Sequence, residues 1–196
     1  VENIFVDIDT DYKYYKELQT LYDKGMIFPD SEWKFAPYDL LNRDQFVGIA
    51  SEVSCKKCIQ PNTDIEFLSK YTLEPFFDIP DSNKYFYCIS DAKENSFVNG
   101  YDANFTCDDG TFQAWEKPFC ANNTIILEEA LAVILRMSWI LSNQEADAIR
   151  QDIADGNITA DLADDVSPKN LDGSVYSFYP DFMKALEYEL IEYDID

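Results

Sequence analysis

We predict that this chain folds as a mainly α-helical protein in which tandem helix-loop-helix repeats pack as a pseudo-symmetric helical bundle, with short loops and at most one small hairpin. Internal repetition is the first reason, because three short segments recur with a constant offset of 71 positions. The matched segments are 5–7 with 76–78, 18–21 with 89–92, and 25–27 with 96–98. A run of helix-spaced apolar residues at 125–141 is the second reason. A unit too small to bury its own apolar side must stack on neighbouring copies, so we expect small modules sharing one core.

The repeat offset divides the chain into five parts. We expect a first repeat at 1–54, a cysteine-containing linker at 55–75, a second repeat with a hairpin insertion at 76–142, a polar connector at 143–163 and a partial third repeat at 164–196. With 196 residues and 46% hydrophobic content, the chain is large enough to bury a substantial core. We therefore expect one compact assembly.

Four landmarks follow one another in the first repeat. They are Phe5-x-Asp7, Gly25-Met26-Ile27, Phe35-x-Pro37 and Asn42-Arg43-Asp44-Gln45-Phe46. This ordered set resembles the S-layer homology (SLH) repeat of bacterial cell-surface proteins, and the resemblance extends over most of the chain. It implies a helical bundle in which the second helix of each repeat lies at the centre.

The longest apolar run, residues 125–141, is the candidate second helix of the second repeat. Glu128, Glu129 and Arg136 interrupt it, and it is shorter than the roughly 20 apolar residues that a helix needs to cross a bilayer. Apolar residues occupy nearly all of its sides. We therefore predict a buried helix at the centre of the bundle and no membrane span.

The partial third repeat contains a first helix at 182–186 and no second helix. Phe182, Leu186 and Leu190 form an apolar face that lacks a helix partner within its own repeat. This face must pack either on the first two repeats or on another copy of the chain. The second option would produce head-to-tail self-association, because a contact that does not close on itself builds filaments or sheets.

Charge and composition argue against several functions. Fifteen Lys and Arg residues against 38 Asp and Glu residues give a formal net charge of −23, which repels nucleic-acid phosphates. The sequence contains no histidine, so the usual general base and the middle member of a Ser-His-Asp triad are missing. We expect no nucleic-acid partner and no enzymatic activity. A surface glycosidase that uses paired carboxylates is the distant alternative.

Five cysteines suggest disulfide bonds and therefore an oxidising compartment. They are Cys55, Cys58, Cys88, Cys107 and Cys120. Cys107 and Cys120 enclose an Asp-Asp-Gly turn sequence, and pairing them would staple that loop. We favour a bridge from either Cys55 or Cys58 to Cys88. One thiol is then left over, either free or joined to another chain.

Calcium is the metal that we consider. Asp7, Asp9 and Asp11 have the opening spacing of an oxygen-rich calcium loop. However, Tyr12 stands where an EF-hand needs glycine, and Leu18 stands where it needs the bidentate glutamate. We predict no defined metal site, and calcium remains a candidate cofactor that bridges acidic surfaces.

The SLH resemblance also implies a glycan site. SLH domains typically hold a secondary cell-wall polysaccharide, often with an acidic terminal sugar, in grooves between repeats. By that resemblance Asp7 and its counterpart Asp78 would accept hydrogen bonds from sugar hydroxyls, and the amides around Gly25 would line the groove. Arg43 would pair with the acid group of the ligand, because an arginine fork binds a carboxylate through two hydrogen bonds.

Aromatic residues at the start of each first helix are the remaining candidates for glycan contact. Tyr14 and Tyr85 occupy the place where the family usually has tryptophan, and each would either pack the repeat or stack on a sugar ring. Leu127 replaces the arginine in the second repeat, so the sequence supports the fold better than it supports glycan binding.

Two functions therefore remain open. The first is a structural or anchoring role in a surface layer outside a bacterial cell, with copies of itself or other surface-layer subunits as partners. The second is a dedicated module that binds cell-wall polysaccharide.

Overall fold

The computed structural model describes residues 4–25, 27, 29–54, 76–162 and 166–191. Within these residues lie six helices: α1 (Tyr15–Asp23), α2 (Arg43–Val53), α3 (Phe86–Glu94), α4 (Leu127–Met137), α5 (Asn143–Ala154) and α6 (Tyr179–Glu187). The same residues contain no β-strand, and their only β-pairing is two isolated antiparallel bridges, Asn42 with Thr124 and Lys169 with Val175. The predicted mainly α-helical class is confirmed. The cysteine-containing linker at 55–75 lies outside the described residues.

Three helices, α1, α3 and α6, share one local design. Each has nine residues and begins directly after an aromatic residue. The residue after that aromatic is itself a buried ring: Tyr15 in α1, Phe86 in α3 and Tyr179 in α6. Because the first helical residue is buried in each case, these helices are held by packing at their starts rather than by side-chain caps, which none of them has.

The same three helices also end alike. The second residue after the last helical residue has a positive φ in each case: 67° at Gly25, 58° at Ser96 and 54° at Glu189. A left-handed residue at this place satisfies the last carbonyl groups of a helix, and glycine adopts it with the least strain. Ser96 and Glu189 keep this conformation without being glycine. Helices α4 and α5 are also followed by a positive φ at the second residue after their ends, at Trp139 and Gly156. This ending therefore does not identify repeats, and the tandem repeats and their pseudo-symmetric arrangement stay predictions.

Helices α2, α4 and α5 begin in a second way, through a side chain that reaches back. The N–H groups of Asn42, Ile126 and Ser142 donate to the side-chain carboxylate or amide oxygen three residues later, at 3.1, 3.5 and 2.9 Å. In α5 the two hydrogen bonds of a capping box are both present, because the N–H of Glu145 also donates to Ser142 Oγ at 3.2 Å. These starts therefore depend on polar side chains more than on packing.

Three apolar clusters form the core, and α2 and α4 each contribute to two of them. The first cluster surrounds Phe5 and includes Ile49 of α2 at its edge. The second contains Val47 of α2 together with α3 and with Val133 and Met137 of α4. The third joins Leu131 and Leu135 of α4 to residues of α5 and α6. Helices α2 and α4 thus lie between clusters, and they pack against each other.

Helix α4 differs from the prediction in length and in the number of its apolar sides that are buried. It ends at Met137, and Trp139 adopts a positive φ of 58° instead of continuing the helix to 141. Leu127 and Ile134 are exposed, so the helix is not buried all round. The physical reason is that the two clusters joined by α4 cover only part of its circumference, and its first turn carries the polar residues Glu128 and Glu129. None of the described helices is long and apolar enough to span a membrane.

The predicted connector at 143–163 contains α5, whose Ala146 and Ile153 are buried while most of its charged residues are exposed. Helix α6 packs on α4 and α5, and Phe182 is buried there. The proposed self-association face is therefore not open at Phe182, because this side chain is covered from within the chain. Leu186 is half-buried and Leu190 is 46% exposed.

Candidate functional site

Asp7 holds the loop that precedes α2. Its Oδ1 accepts a hydrogen bond from the N–H of Phe35 at 2.9 Å, and its Oδ2 accepts one from the N–H of Ala36 at 2.7 Å. Ala36 has a φ of 56°, which turns both N–H groups of this short segment to one side. Desolvation raises the pKa of Asp7, but the N–H groups of Phe35 and Ala36, together with its own backbone and the charge of Lys34, lower it below its ordinary value.

Asp78 forms the same arrangement 71 positions further along the chain. Its Oδ1 accepts from the N–H of Phe119 at 2.9 Å, and its Oδ2 accepts from the N–H of Cys120 at 2.6 Å. Cys120 has a φ of 57°, which matches Ala36. We call this arrangement the carboxylate clamp. Both aspartates that the sequence assigned to sugar hydroxyls therefore bind backbone N–H groups of their own chain.

Arg43, the expected partner of an acidic sugar, is 7% exposed and has several partners within the chain. Its Nε donates to the carbonyl of Phe119 at 2.9 Å and its Nη2 to that of Asn99 at 3.3 Å, while Nη1 lies 2.6 Å from Glu129 Oε1. The guanidinium carbon also lies 4.4 Å from the ring centroid of Tyr101. A buried arginine must be paired in this way, and the pairing joins α2 to α4 and to the backbone at Asn99 and Phe119.

The pKa of Tyr101 reflects the burial and the charges of this network. The pKa of its phenol is raised to about 12, because desolvation raises it most, Arg43 lowers it and Glu129 adds to the rise. The hydroxyl is therefore neutral at physiological pH. It contributes as a packed, uncharged group under the guanidinium.

The two aromatic candidates differ in exposure. Tyr14 is 50% exposed, and its ring meets that of Tyr12 edge to face at 6.0 Å between centroids. Tyr85 instead packs on α2, where a Cβ added to Gly48 would lie 2.2 Å from Tyr85 Cδ1. Only Tyr14 is thus placed as a surface platform. Gly25 is exposed, but its N–H donates to the carbonyl of Tyr22 at 2.8 Å and closes α1.

The disulfide between Cys107 and Cys120 is present, with an S–S distance of 1.98 Å. It encloses a turn in which Gly110 donates to the carbonyl of Cys107 at 2.8 Å, but no strands flank that turn, so the predicted hairpin is a turn only. Cys88 is also disulfide-bonded. Cys55 and Cys58 lie outside the described residues, so the choice between them stays a prediction.

Among the described acidic and sulfur groups, one set comes close enough to suggest a metal site. Asp78, Cys107 and Cys120 place one ligand atom each within 4.8 Å of the others. The two sulfurs are bonded to each other, so neither is a thiolate, and the carboxylate already accepts two N–H groups. This donor set does not fit a metal ion. Asp9 and Asp11 do not join any such group in the described part of the chain.

Asp181 forms a second buried polar cluster, which the sequence analysis did not anticipate. Its carboxylate is fully buried in α6, and no hydrogen-bond donor reaches either oxygen. Arg136 Nη2 lies 3.5 Å from Oδ1, and Arg150 Nη2 lies 4.0 Å from Oδ2. Burial raises the pKa of Asp181, and the two arginines act against this rise. The cluster joins α4, α5 and α6.

The structure also contains an open cleft of about 460 Å³, which was not predicted from the sequence. Its lining includes Phe76 and Phe77 beside the clamp, Lys93 of α3, and Lys117 on the loop after Trp115. These residues lie far apart in the sequence, and no single-sequence pattern brings them together.

A scan against models of protein families finds no match for this chain, and a search of curated proteins finds none either.

Proposed function

We propose that this chain is a structural module of a bacterial cell envelope, built like SLH repeats and acting outside the cell. The observation that supports this most is the carboxylate clamp: Asp7 accepts from the successive N–H groups of Phe35 and Ala36, and Asp78 accepts in the same way from those of Phe119 and Cys120. A recurring internal brace of this kind serves the construction of repeats. The role needs no catalytic group.

The environment of Arg43 favours a structural role over direct glycan coordination by this residue. Its guanidinium already contacts Glu129, two backbone carbonyls and aromatic rings. Freeing it for a ligand would leave Glu129 without its cation in a largely buried place, which is costly. In this proposal Arg43 joins repeats, and any wall contact is made elsewhere.

The partners in this role are copies of the chain or other surface-layer subunits. A formal charge of −23 opposes self-association, so assembly requires neutralisation by cations. Calcium is the proposed bridging ion between acidic surfaces of neighbouring copies, since it prefers carboxylate oxygens.

Sedimentation velocity of the purified chain under non-reducing conditions tests this role. We expect calcium to produce large or open-ended assemblies, and a sodium chloride sample of equal ionic strength to produce fewer. The comparison separates bridging from simple screening. A stable monomer in every condition would contradict the structural role.

The second candidate function is binding of cell-wall polysaccharide. Two features favour it: the exposed ring of Tyr14, and the cleft that contains Lys93 and Lys117. Co-pelleting with purified cell walls tests it, with Tyr14→Ala expected to reduce binding. Tyr38→Ala is the matched control, because Tyr38 is 88% exposed and lies on a different loop. Equal binding of both variants and the unmodified chain would argue against a role for Tyr14.

A further inference from the structure

A short surface loop, residues 102–106, lies between two anchored positions. At its start, the ring of Tyr101 packs against Arg43, with 4.4 Å between the ring centroid and the guanidinium carbon. At its end, Cys107 is held by the disulfide to Cys120. Four of the five residues between these anchors are exposed. Because both ends are fixed and the middle is exposed, the loop is presented to solvent in one arrangement.

Asn104 lies at the turn of this loop. The N–H of Phe105 donates to the carbonyl of Asp102 at 2.9 Å, which closes the turn around Asn104. The ring of Phe105 stacks on that of Tyr101, with 4.2 Å between the centroids. The Asn104 side chain is exposed, and its carboxamide has no hydrogen-bond partner among the described residues. Its amide nitrogen is therefore accessible from outside without the loss of any internal contact.

The sequence around Asn104 is an acceptor pattern for N-linked glycosylation. Asn104-Phe105-Thr106 fits the pattern Asn-X-Ser/Thr, in which X is any residue except proline. The same pattern begins at Asn122 and at Asn157. So short a pattern often occurs by chance, so the surroundings of the three asparagines must distinguish them.

The other two asparagines are engaged within the chain. Asn122 Nδ2 donates to Asp109 Oδ2 at 3.1 Å. Asn157 Nδ2 donates to Asp152 Oδ1 at 3.2 Å, and the Asn157 N–H donates to the Asp152 carbonyl at 2.8 Å at the end of α5. An enzyme that acts on either residue must first break these hydrogen bonds. Asn104 requires no such step.

The disulfides add an independent reason to expect this modification. The Cys107–Cys120 bond and the disulfide at Cys88 are typical of exported proteins. N-glycosylation likewise occurs on surface loops of exported chains.

We propose that Asn104 accepts an N-linked glycan on the folded, exported chain. In this step the Asn104 amide nitrogen attacks the anomeric carbon of a sugar carried by a polyprenyl diphosphate. The new bond joins nitrogen to carbon, and the bond from that carbon to the phosphate oxygen breaks. The polyprenyl diphosphate leaves with the electron pair, a base of the transferase takes one amide proton, and nothing is oxidised or reduced. The inference relies on export alone, so it is independent of self-association and of wall binding.

Transfer to the purified, folded chain tests the site. The assay uses a lipid-linked oligosaccharide and an oligosaccharyltransferase that modifies three short synthetic peptides, one for each acceptor pattern. We expect the intact mass of the chain to rise by one glycan, and mass spectrometry of its peptides to locate that glycan on Asn104. The chain unfolded in urea and returned to assay buffer as separate proteolytic peptides should be modified at all three asparagines.

Four variants sharpen the test. Asn104→Gln should lose the glycan, and Thr106→Ala should lose it while keeping the asparagine. Thr106→Ser should retain it, because serine also supplies the hydroxyl of the acceptor pattern. Asn157→Gln is the matched control and should leave the mass gain unchanged.

Three results would overturn the assignment. The first is a folded chain that gains no glycan although the enzyme modifies the Asn104 peptide. The second is a folded chain modified at Asn122 or Asn157 as completely as at Asn104, which would mean that the fold does not select the site. The third is a glycan that persists in Thr106→Ala.

Discussion

The guanidinium of Arg43 and the carboxylate of Glu129 form an ion pair, with 2.6 Å between Nη1 and Oε1, that connects the start of α2 to the start of α4. Glu129 Oε2 also accepts from the N–H of Ile126 at 3.5 Å. One glutamate therefore serves both the start of its own helix and the contact between α2 and α4. Removing either partner should affect the fold before it affects any ligand.

Arg43→Ala should lower the free energy of unfolding by about 3–5 kcal/mol, because it leaves a largely buried carboxylate without its cation. Urea denaturation followed by circular dichroism measures this. Lys16→Ala, an exposed cation on α1, is the control and should change stability by less than about 0.5 kcal/mol. The double variant Arg43→Ala/Glu129→Ala should lose less than the sum of the single variants. A loss below about 1 kcal/mol for Arg43→Ala would contradict the structural role of the pair.

Asp78→Asn should lower the free energy of unfolding by about 1–3 kcal/mol, because the amide replaces one of two carboxylate oxygens that accept N–H groups. Asp81→Asn is the matched control, since Asp81 is exposed on the same segment. Hydrogen exchange should also speed up at the amides of Phe119 and Cys120. Unchanged exchange at these two amides would show that the clamp does not hold the loop.

Gly48→Ala should destabilise the chain even though alanine is intrinsically the better helix residue by about 1 kcal/mol. The new Cβ would lie 2.2 Å from Tyr85 Cδ1 and 2.4 Å from Cε1, so the ring must move. Overpacking of this kind typically costs about 1–3 kcal/mol. Thermal unfolding measures the effect, and Gly48→Ala combined with Tyr85→Ala should be less destabilising than the sum of the single variants. A stabilised Gly48→Ala would show that Tyr85 is not packed there.

Removal of the disulfide by Cys107→Ala/Cys120→Ala should cost about 2–4 kcal/mol, because the unfolded chain is no longer constrained between positions 13 apart. Chemical denaturation of both proteins without reductant measures this and leaves the bond at Cys88 intact. Equal midpoints would mean that the clamp of Asp78 alone holds this loop.

The contribution of Asp181 to the free energy of unfolding should be larger at acidic pH than at neutral pH. Its pKa is raised in the folded state, so its contribution is fully present below the ordinary pKa of 3.8 and is lost as pH rises through the raised value. Asp181→Asn should therefore gain stability relative to the unmodified chain between pH 3 and pH 7. Urea denaturation across that range measures the difference.

Asp172→Asn provides the opposite control for this pH dependence. Hydrogen bonds from Ser174 lower the pKa of Asp172, so its contribution is present above pH 3.8 and is lost as pH falls. The Asn variant at position 172 should lose stability relative to the unmodified chain as pH rises. A pH-independent difference for Asp181→Asn would contradict the raised pKa.

The sequence allowed the helices to be predicted wherever local spacing decides the outcome. The first helices follow the recurrence of Leu18 as Ile89, and the pairing of Cys107 with Cys120 follows from the turn between them. The burial of Arg43 was not predictable from the sequence, because its partners, the carbonyl groups of Asn99 and Phe119, reach it only after the loops have folded. The same holds for the cleft, whose wall depends on the approach of Gly100 to Lys117.

The sharing of α2 and α4 between neighbouring apolar clusters affects how the chain can be divided. A fragment cut between two clusters would leave one side of a shared helix in water, so neither half would keep its full apolar burial. The smallest piece that folds cooperatively should then contain more than one cluster. Fusion partners and proteolytic sites are best placed at the outer loops, away from the two shared helices.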